Sequence, residues 1–280
     1  MKKITKKDLI AYEVQLISIA KGAGKILSPY QKDLANLKID IKEAQGAVSA
    51  ADHASEEYII KKLKKLNPEI PVLAEEDFYK KYQGNYKYLK EYQDHDYMWV
   101  IDPLDGTNNF VHGLEHYCIS LSLTYKLQPV VGVIYIPERK EIYCATKGNG
   151  SYFIKGKDKK RLKQNKSRSK GFLLATGFAT EKGKPFNDEF RKFKKVMTSI
   201  SAVRRLGSAA IDLCYVAQGI FDGFWEKGLA PWDVAAGKII CLEAGAKITE
   251  YNGHDHNIFS KTIIVGRNPL YKKLSEMVSD

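Results

Sequence analysis

The sequence predicts an α+β fold, and three patterns of apolar residues support this prediction. Residues 7–27 carry apolar side chains at the spacing of one helical face. Residues 116–145 form short alternating segments separated by turns, which is typical of antiparallel strands. The second half of the chain alternates between strand-like and helix-like segments. These patterns together indicate a protein that contains both helices and sheets.

The composition indicates a globular protein without a membrane span. The chain has 280 residues, of which 44% are hydrophobic and 28% are charged, and this is enough for one large domain or two lobes. It contains no run of 18 consecutive apolar residues. The basic N-terminus lacks the apolar core of a signal peptide, so we expect a cytoplasmic protein.

The net charge of the chain limits the classes of partner. The net charge is +12, which suits anionic substrates or nucleic acid. The lysines are spread along the chain, so a solvated basic surface is the favoured interpretation and nucleic-acid binding is the alternative.

Four cysteines lie in apolar contexts without any Cys-x-x-Cys pair, which predicts buried free thiols.

Two helices are expected near the N-terminus. The helix over residues 7–27 should end near Gly22-Ala23-Gly24 or slightly later. Residues 34–41 are ambiguous. A second helix is expected over residues 54–66, because Pro68 follows it closely and disfavours helix at the preceding residue.

A strand, an acidic pair and a long polar segment come next. Residues 72–74 predict a short strand that leads to Glu75 and Glu76. Residues 78–97 are rich in Tyr and Lys and have no clear period. We expect a surface insertion here, a solvated loop or hairpin, with stacking of single-stranded nucleic acid as the alternative.

The remaining elements follow in two groups. Antiparallel strands are expected at 116–125, 130–136 and 141–145, with a hairpin at 148–153. The basic run 155–170 predicts the junction between an N-terminal α+β lobe (1–160) and a C-terminal α/β lobe (161–280), which together form one catalytic unit. The later strands are expected at 172–175, 202–205, 221–226 and 263–265, and the later helices at 187–198, 207–218, 232–244 and 269–278.

The most informative stretch is residues 99–112. An apolar strand ends there, and Asp102 and Asp105 follow across a Pro-Leu step. Gly106 and Thr107 come next, and their backbone N–H groups are suited to an anion. Two carboxylates beside such N–H groups suit an oxygen-ligated cation bridged to a phosphate. Taken alone, the pattern is equally typical of an Asp-rich turn between strands.

Two longer signatures decide between these interpretations. Residues 99–110 read Trp-Val-Ile-Asp-Pro-Leu-Asp-Gly-Thr-Asn-Asn-Phe, and residues 231–245 begin Pro-Trp-Asp-Val-Ala-Ala-Gly and end Glu-Ala-Gly. With the Glu75-Glu76 pair, the chain resembles the inositol monophosphatase family of Mg²⁺-dependent, lithium-sensitive phosphatases, from about residue 42 to the C-terminus. Residues 224–237 look most like the bacterial inositol-1-monophosphatases.

The resemblance implies a fold and an assembly. The fold is a layered αβαβα sugar-phosphatase sandwich with a mainly antiparallel N-terminal sheet and a mixed C-terminal sheet, and the site lies between the two lobes. Family members are commonly homodimers, so the resemblance also implies a homodimer.

The same resemblance implies roles for individual residues. The metal ligands, for two or three Mg²⁺ ions, are Glu75, Asp102, the Leu104 carbonyl, Asp105 and Asp233. The catalytic group consists of Glu75, Thr107 and Asp52. Phosphate is held by Gly106 and Thr107, and the sugar or cyclitol ring by Asp105, Gly207, Ser208, Ala209, Glu226 and Asp233. Two residues have further interpretations: Glu76 has a weaker supporting role, and Asp52 is equally explained as a helix N-terminal cap.

The activity implied is hydrolysis of a small phosphomonoester by metal-activated water, foremost of inositol 1-phosphate. Alternatives with the same metals are fructose 1,6-bisphosphate, NADP and 3′-phosphoadenosine nucleotides. An alternative of another class is a non-catalytic role in binding RNA or a transcription complex. The histidines do not provide a zinc site, because their spacing matches no helical zinc pair.

Overall fold

The computed structural model describes residues 4–42, 46–163, 171–178, 184–200 and 202–279. Its helices are α1 (Lys6–Lys32), α2 (Ala50–Leu66), α3 (Glu75–Tyr82), α4 (Thr107–Val111), α5 (Lys184–Met197), α6 (Ala209–Gln218), α7 (Pro231–Glu243) and α8 (Leu270–Val278). Its strands are β1 (Ile39–Lys42), β2 (Gly46–Ser49), β3 (Val72–Ala74), β4 (Tyr97–Asp105), β5 (Cys118–Tyr125), β6 (Gln128–Ile136), β7 (Glu141–Thr146), β8 (Gly150–Lys155), β9 (Asp158–Leu162), β10 (Leu173–Thr176), β11 (Ala202–Arg204), β12 (Gly223–Lys227), β13 (Lys247–Thr249) and β14 (Thr262–Gly266). Short 3₁₀ helices cover Leu34–Asn36 and Tyr86–Tyr92.

The first large sheet contains seven strands in the order β3-β4-β5-β6-β7-β8-β9. Only the β3–β4 pair is parallel among these, and every other pair is antiparallel. Helices α1 and α2 cover one face, where Leu16, Leu63, Trp99 and Leu121 form a buried core. Nearly every residue of β4, β5 and β6 is buried, because α1 and α2 cover one face of the sheet and α7 covers the other.

The second large sheet is mixed and contains five strands in the order β11-β10-β12-β14-β13. Helices α6 and α7 lie between the two sheets, and α5 and α8 pack together on the outer side of the second sheet. Ten of the residues of α7 are buried, as expected for a helix between two sheets. The layers therefore run α, β, α, β, α, which confirms the expected α+β sandwich.

Helix α1 is longer than the sequence predicted, because its glycines serve packing instead of ending the helix. The helix continues to Lys32, and Ala23 and Gly24 are buried within it. A Cβ atom at Gly24 would lie 2.6 Å from the ring of Tyr135, so a larger residue would force the helix or this ring to shift. The predicted end, at these glycines or slightly later, is therefore several residues too early.

Helix α2 also begins earlier than predicted, at Ala50 instead of residue 54. Ser49 and Asp52 form a capping box, which satisfies backbone N–H groups of the first turn. The ambiguous region 34–41 contains the 3₁₀ helix Leu34–Asn36 and most of β1, which pairs antiparallel with β2.

The Tyr- and Lys-rich segment 78–97 lies largely on the surface, as predicted, but it is mostly helical and is not a loop or hairpin. It completes α3, forms the 3₁₀ helix Tyr86–Tyr92 and enters β4. The side chain of Phe78 is only 1% exposed, and its ring lies 5.5 Å from that of Trp232. The sequence prediction failed here because the residue that anchors the segment lies far away in the chain.

The predicted junction 155–170 is described only in part. Residues up to Leu162 belong to β8 and β9 of the first sheet, and residues 164–170 lie outside the described residues. Within the described ranges, no helix has both the length and the apolar character needed to cross a membrane.

Candidate active site

A bulge in β4 directs the two aspartates of the central motif. Asp102 pairs with Ser120 and Asp105 with Cys118, so β4 has one residue more than β5 between these pairs. Such an insertion bends a strand and turns its side chains. The backbone N–H of Leu104 donates to Oδ1 of Asp102 at 2.9 Å, which fixes the turn.

The third carboxylate comes from the first turn of α7. Pro231 occupies the first helical position, where no N–H group is required. Asp233 accepts a hydrogen bond at Oδ2 from the Ala230 N–H at 2.7 Å. One ligand oxygen from each of Asp102, Asp105 and Asp233 lies within 4.8 Å of the other two. Two distant parts of the chain therefore place three carboxylates in one place.

Glu75 lies beside this group but is not one of the three. Ala74 at the end of β3 pairs with Ile101 of β4, and the two strands run parallel. The next residues of the two strands, Glu75 and Asp102, therefore lie next to each other. Burial raises the pKa of Asp102 well above its usual range, and the charges of Glu75, Asp105 and Asp233 raise it further. Carboxylates crowded in this way repel one another, and a hard divalent cation relieves that repulsion. An all-oxygen donor set fits Mg²⁺.

Helix α6 holds Asp105 in place. The Ser208 hydroxyl donates to Oδ2 of Asp105 at 2.6 Å, and the Ala210 N–H donates to the same oxygen at 2.9 Å. The Cys118 thiol donates to it as well, at 3.8 Å. Burial raises the pKa of Asp105, while these hydrogen bonds oppose the increase. Ser208 was predicted to bind substrate. In the structure this residue is only 1% exposed, and its hydroxyl donates to Asp105.

Residues 207 and 209 lie on either side of this N-terminus. Gly207 has a φ of +80°, which favours glycine, and Ala209 is the first residue of α6. The side-chain amide of Asn109 donates to the carbonyl oxygens of Leu206 and His116, at 2.8 and 2.7 Å. Asn109 thus ties the loop before α6 to α4.

The turn after Asp105 requires glycine and presents Thr107. Gly106 has a φ of +92°, and a Cβ atom there would lie 2.9 Å from the carbonyl oxygen of His116. Oγ1 of Thr107 lies 2.9 Å from Oδ1 of Asp52 and 2.9 Å from the Leu104 carbonyl oxygen. Both of these atoms accept hydrogen bonds, so they control the direction of the single hydroxyl proton.

Asp52 caps α2 and also contacts Thr107, a residue that the resemblance places in the catalytic group. Its Oδ2 atom accepts from the Ser49 N–H at 2.8 Å and from the Ser49 hydroxyl at 2.6 Å, which caps α2. Its Oδ1 atom accepts from Thr107. The residue is 1% exposed, so both interactions are shielded from water.

A second acidic pair lies on the α6 side of the centre. Burial raises the pKa of Glu226 to about 8, and the charges of Asp212 and Asp105 add to the increase. Burial and the Asp105 charge likewise raise the pKa of Asp212 to about 8. Oδ1 of Asp212 is buried and has no hydrogen-bond partner among the described residues. Sequence reasoning missed Asp212, although it follows Ser208 by one helical turn and so shares its face of α6.

Sequence reasoning also missed Glu56, which holds the start of α3. Its two carboxylate oxygens accept from the Glu76 N–H at 2.8 Å and the Asp77 N–H at 2.7 Å. Glu56 lies on α2 and is 6% exposed. It therefore connects α2 to the residues that immediately follow Glu75.

Aromatic rings from α3 and the following 3₁₀ helix surround Trp232, next to Asp233. The rings of Tyr79 and Tyr86 both lie 6.3 Å from that of Trp232. The hydroxyl groups of the two tyrosines lie 2.8 Å apart. Burial raises the pKa of Tyr86 most, and the charges of Asp233 and Glu75 add to the increase. These aromatic residues, which no sequence signal identified, therefore border the carboxylate centre.

Comparison with known proteins agrees with this geometry. The model of the inositol monophosphatase family matches residues 9–279. The chain belongs to the inositol monophosphatase family. The match covers both sheets and the three carboxylates, so the resemblance seen in the two signatures is confirmed.

Relatives within the inositol monophosphatase family have two kinds of name. The inositol-1-monophosphatase of Mesorhizobium japonicum is 33% identical, over 94% of each chain. The Nus factor SuhB of Pasteurella multocida is 34% identical, over 92% of each chain. Among solved structures, the extragenic suppressor protein SuhB of Bartonella henselae is 32% identical, with a TM-score of 0.82 over 96% of this chain and 99% of that one.

Proposed function

We propose that this protein is a Mg²⁺-dependent phosphatase of small sugar or cyclitol phosphates, with inositol 1-phosphate as the first candidate substrate. The observation that carries the proposal is the approach of Asp102, Asp105 and Asp233 to within 4.8 Å of one another. Such a group has little structural use without a cation, because like charges in a buried place destabilise the fold.

The ligands for two or three Mg²⁺ ions are Glu75, Asp102, the Leu104 carbonyl, Asp105 and Asp233. All of them offer oxygen, the donor that Mg²⁺ prefers. When bound, Mg²⁺ would neutralise charge on the phosphate and activate a water molecule for attack.

The chain's own residues prepare this attack. Asp52 accepts from the Thr107 hydroxyl and orients it, and we assign to Glu75 the role of accepting a proton from the attacking water. The N–H groups of Gly106 and Thr107 hold the phosphate oxygens. We assign substrate contacts to Asp105, Gly207, Ser208, Ala209, Glu226 and Asp233, with Ser208 acting through Asp105.

Release of inorganic phosphate tests the proposal. Wild type and Asp233→Asn are assayed with Mg²⁺ on inositol 1-phosphate, fructose 1,6-bisphosphate, NADP and 3′-phosphoadenosine 5′-phosphate. We expect wild-type turnover of inositol 1-phosphate and almost none in the folded variant, since removal of a metal ligand removes charge stabilisation. Turnover of another substrate would select one of the alternatives, and equal activity in both proteins would contradict the metal assignment.

A second candidate function is binding to RNA or to a transcription complex. It is favoured by the relatives named Nus factor SuhB and by the net charge of +12. A salt-sensitive mobility shift with RNA in the absence of Mg²⁺ would support it.

A homodimer is proposed from the resemblance alone, and sedimentation equilibrium would test it.

A further inference from the structure

The three clustered carboxylates share one pattern of hydrogen bonding. In each of them one oxygen accepts from a backbone N–H group, and the pairs are Leu104 to Oδ1 of Asp102 at 2.9 Å, Ala210 to Oδ2 of Asp105 at 2.9 Å, and Ala230 to Oδ2 of Asp233 at 2.7 Å. Hydrogen bonds of this kind orient the carboxylates that bind a metal ion. A carboxylate with one oxygen fixed by the backbone is positioned to bind a cation through its other oxygen.

Asp105 is held by two side chains in addition to the backbone. The Ser208 hydroxyl donates to its Oδ2 atom at 2.6 Å, and the Cys118 thiol donates to the same atom at 3.8 Å. A carboxylate oxygen has two lone pairs, so the hydroxyl and the Ala210 N–H together occupy both. Among the described residues, every side-chain hydrogen bond of Asp105 ends on Oδ2.

The Oδ2 side of Asp105 is closed to water and to ions. Ser208, Cys118 and Ala210, which surround this oxygen, are all buried. The hydrogen atoms that they direct at Oδ2 carry partial positive charge, which repels a cation. A cation in the carboxylate centre therefore approaches Asp105 from the side of Oδ1.

Mg²⁺ and Ca²⁺ place different demands on such a carboxylate. Mg²⁺ requires a nearly ideal octahedron of oxygen ligands at about 2.0–2.1 Å, so each ligand has to stand in a fixed position. Ca²⁺ takes six to eight oxygen ligands at about 2.3–2.6 Å, and one carboxylate often supplies two of them. A carboxylate that is held at one oxygen suits Mg²⁺, but it cannot give its second oxygen to Ca²⁺.

We propose that Ser208 and Cys118 are positioning residues that restrict Asp105 to binding a cation through Oδ1 alone, and that they thereby select Mg²⁺ against Ca²⁺. The inference rests on the proposed Mg²⁺-dependent function, because it concerns the metal site of that function. Both positioning residues lie outside the two signatures, so the motifs do not account for this selection. The backbone N–H of Ala210 contributes to the same restriction, but a side-chain substitution cannot remove it.

Direct binding of cations tests the proposal without catalysis. Mg²⁺ and Ca²⁺ are each titrated calorimetrically into the metal-free protein, and the ratio of the two affinities is compared between variants. The test variants are Ser208→Ala and Cys118→Ala, and Ser208→Thr is the variant that retains the hydroxyl. The matched control is Ser122→Ala, because Ser122 is also buried and its hydroxyl donates to the Val131 carbonyl oxygen at 2.8 Å instead of to a carboxylate.

We expect the ratio of Mg²⁺ affinity to Ca²⁺ affinity to fall about tenfold in Ser208→Ala, at the lower end of the effects that partners of metal ligands have on metal affinity. The released carboxylate loses its fixed position, which weakens Mg²⁺ binding, and it can offer both oxygens to Ca²⁺. Cys118→Ala should shift the ratio in the same direction by less, because a thiol is a weak donor. Ser208→Thr and Ser122→Ala should retain the wild-type ratio.

The ratio separates this role from a structural one. The Ser208 side chain also caps α6, where it accepts from the Ile211 N–H at 3.4 Å. Loss of the cap lowers the stability of the protein. A general loss of stability weakens the binding of both cations together, so it leaves the ratio unchanged.

The outcomes also separate the selection of the cation from the phosphatase function. A wild-type ratio in Ser208→Ala, or the same fall of the ratio in Ser122→Ala, would overturn the proposal even if inositol 1-phosphate is hydrolysed. A specific fall of the ratio in a protein that hydrolyses no phosphomonoester would retain the selection and overturn the function. If Ser208→Ala does not fold, the ratios in Ser208→Gly and Cys118→Ala decide in the same way.

Discussion

The Thr107 hydroxyl lies 2.9 Å from Oδ1 of Asp52, and this contact joins the start of α4 to the start of α2. Asp52 is 1% exposed, and its other oxygen is bound to Ser49. The carboxylate is therefore fixed in position and cannot turn away from Thr107. Together with the Leu104 carbonyl oxygen, which also lies 2.9 Å away, this contact fixes the position of the hydroxyl group at the edge of the carboxylate centre.

The first prediction concerns the Thr107 hydroxyl. Thr107→Val keeps the shape of the side chain but removes the hydroxyl, and we expect kcat for inositol 1-phosphate to fall roughly a hundredfold. Thr107→Ser retains the hydroxyl and should retain most of the activity. Steady-state kinetics, with KM and kcat determined separately, check both variants. If Thr107→Val is as active as Thr107→Ser, the hydroxyl has only a structural role.

The sequence predicts the strands better than it predicts the layers. Apolar runs bounded by turns are visible in β5, β6 and β7, and nearly all residues of these strands are buried. The order of layers depends on contacts between distant segments, so only the resemblance to a known family implied it. Helix α7 illustrates the reason, because it is buried between both sheets. A helix that is apolar on most sides has no single apolar face, so its sequence does not show which sheet it packs against.

Some residues of the candidate site can be identified from the sequence, and others cannot. Asp102, Asp105 and Asp233 stand in recognisable motifs, and the structure brings them together. Glu56 and Asp212 have no such motif, and in sequence they resemble the many exposed acids of other helices. Their burial becomes visible only in three dimensions.

The second prediction concerns Glu56, which accepts from the backbone N–H groups of Glu76 and Asp77. Glu56→Ala leaves both N–H groups without this partner, and we expect a loss of about 1–3 kcal/mol in the free energy of unfolding. Glu56→Gln retains one acceptor oxygen and should lose less. Because Glu75 lies at the start of the same helix, both variants should also need more Mg²⁺ for half-maximal activity.

Urea unfolding and Mg²⁺ titrations of activity check this prediction. Glu57→Ala is the matched control, since Glu57 is the exposed neighbour on the same helix. It should change neither quantity. A Glu56→Ala protein with wild-type stability and Mg²⁺ requirement would show that α3 keeps its position without this contact.

The last prediction concerns the pH dependence that Asp212 gives to the metal-free protein. Folding raises the pKa of Asp212 from 3.8 to about 8. Below the lower value the carboxyl group is protonated in both states and contributes no pH dependence. Between the two values the folded protein retains a proton that the unfolded chain has lost. Increasing pH therefore lowers the stability of the fold across this window.

Asp212→Asn replaces the carboxyl group by a neutral side chain of the same shape, so it removes this dependence. With a chelator present, we expect the variant and wild type to have similar free energies of unfolding at about pH 4. At about pH 8 the variant should be more stable, by several kcal/mol, because each unit of pKa difference corresponds to about 1.4 kcal/mol. Urea unfolding at several pH values measures the difference, and Asp158→Asn, at an exposed position, is the control. A difference that stays constant with pH would mean that Asp212 is ionised in the folded protein throughout the window.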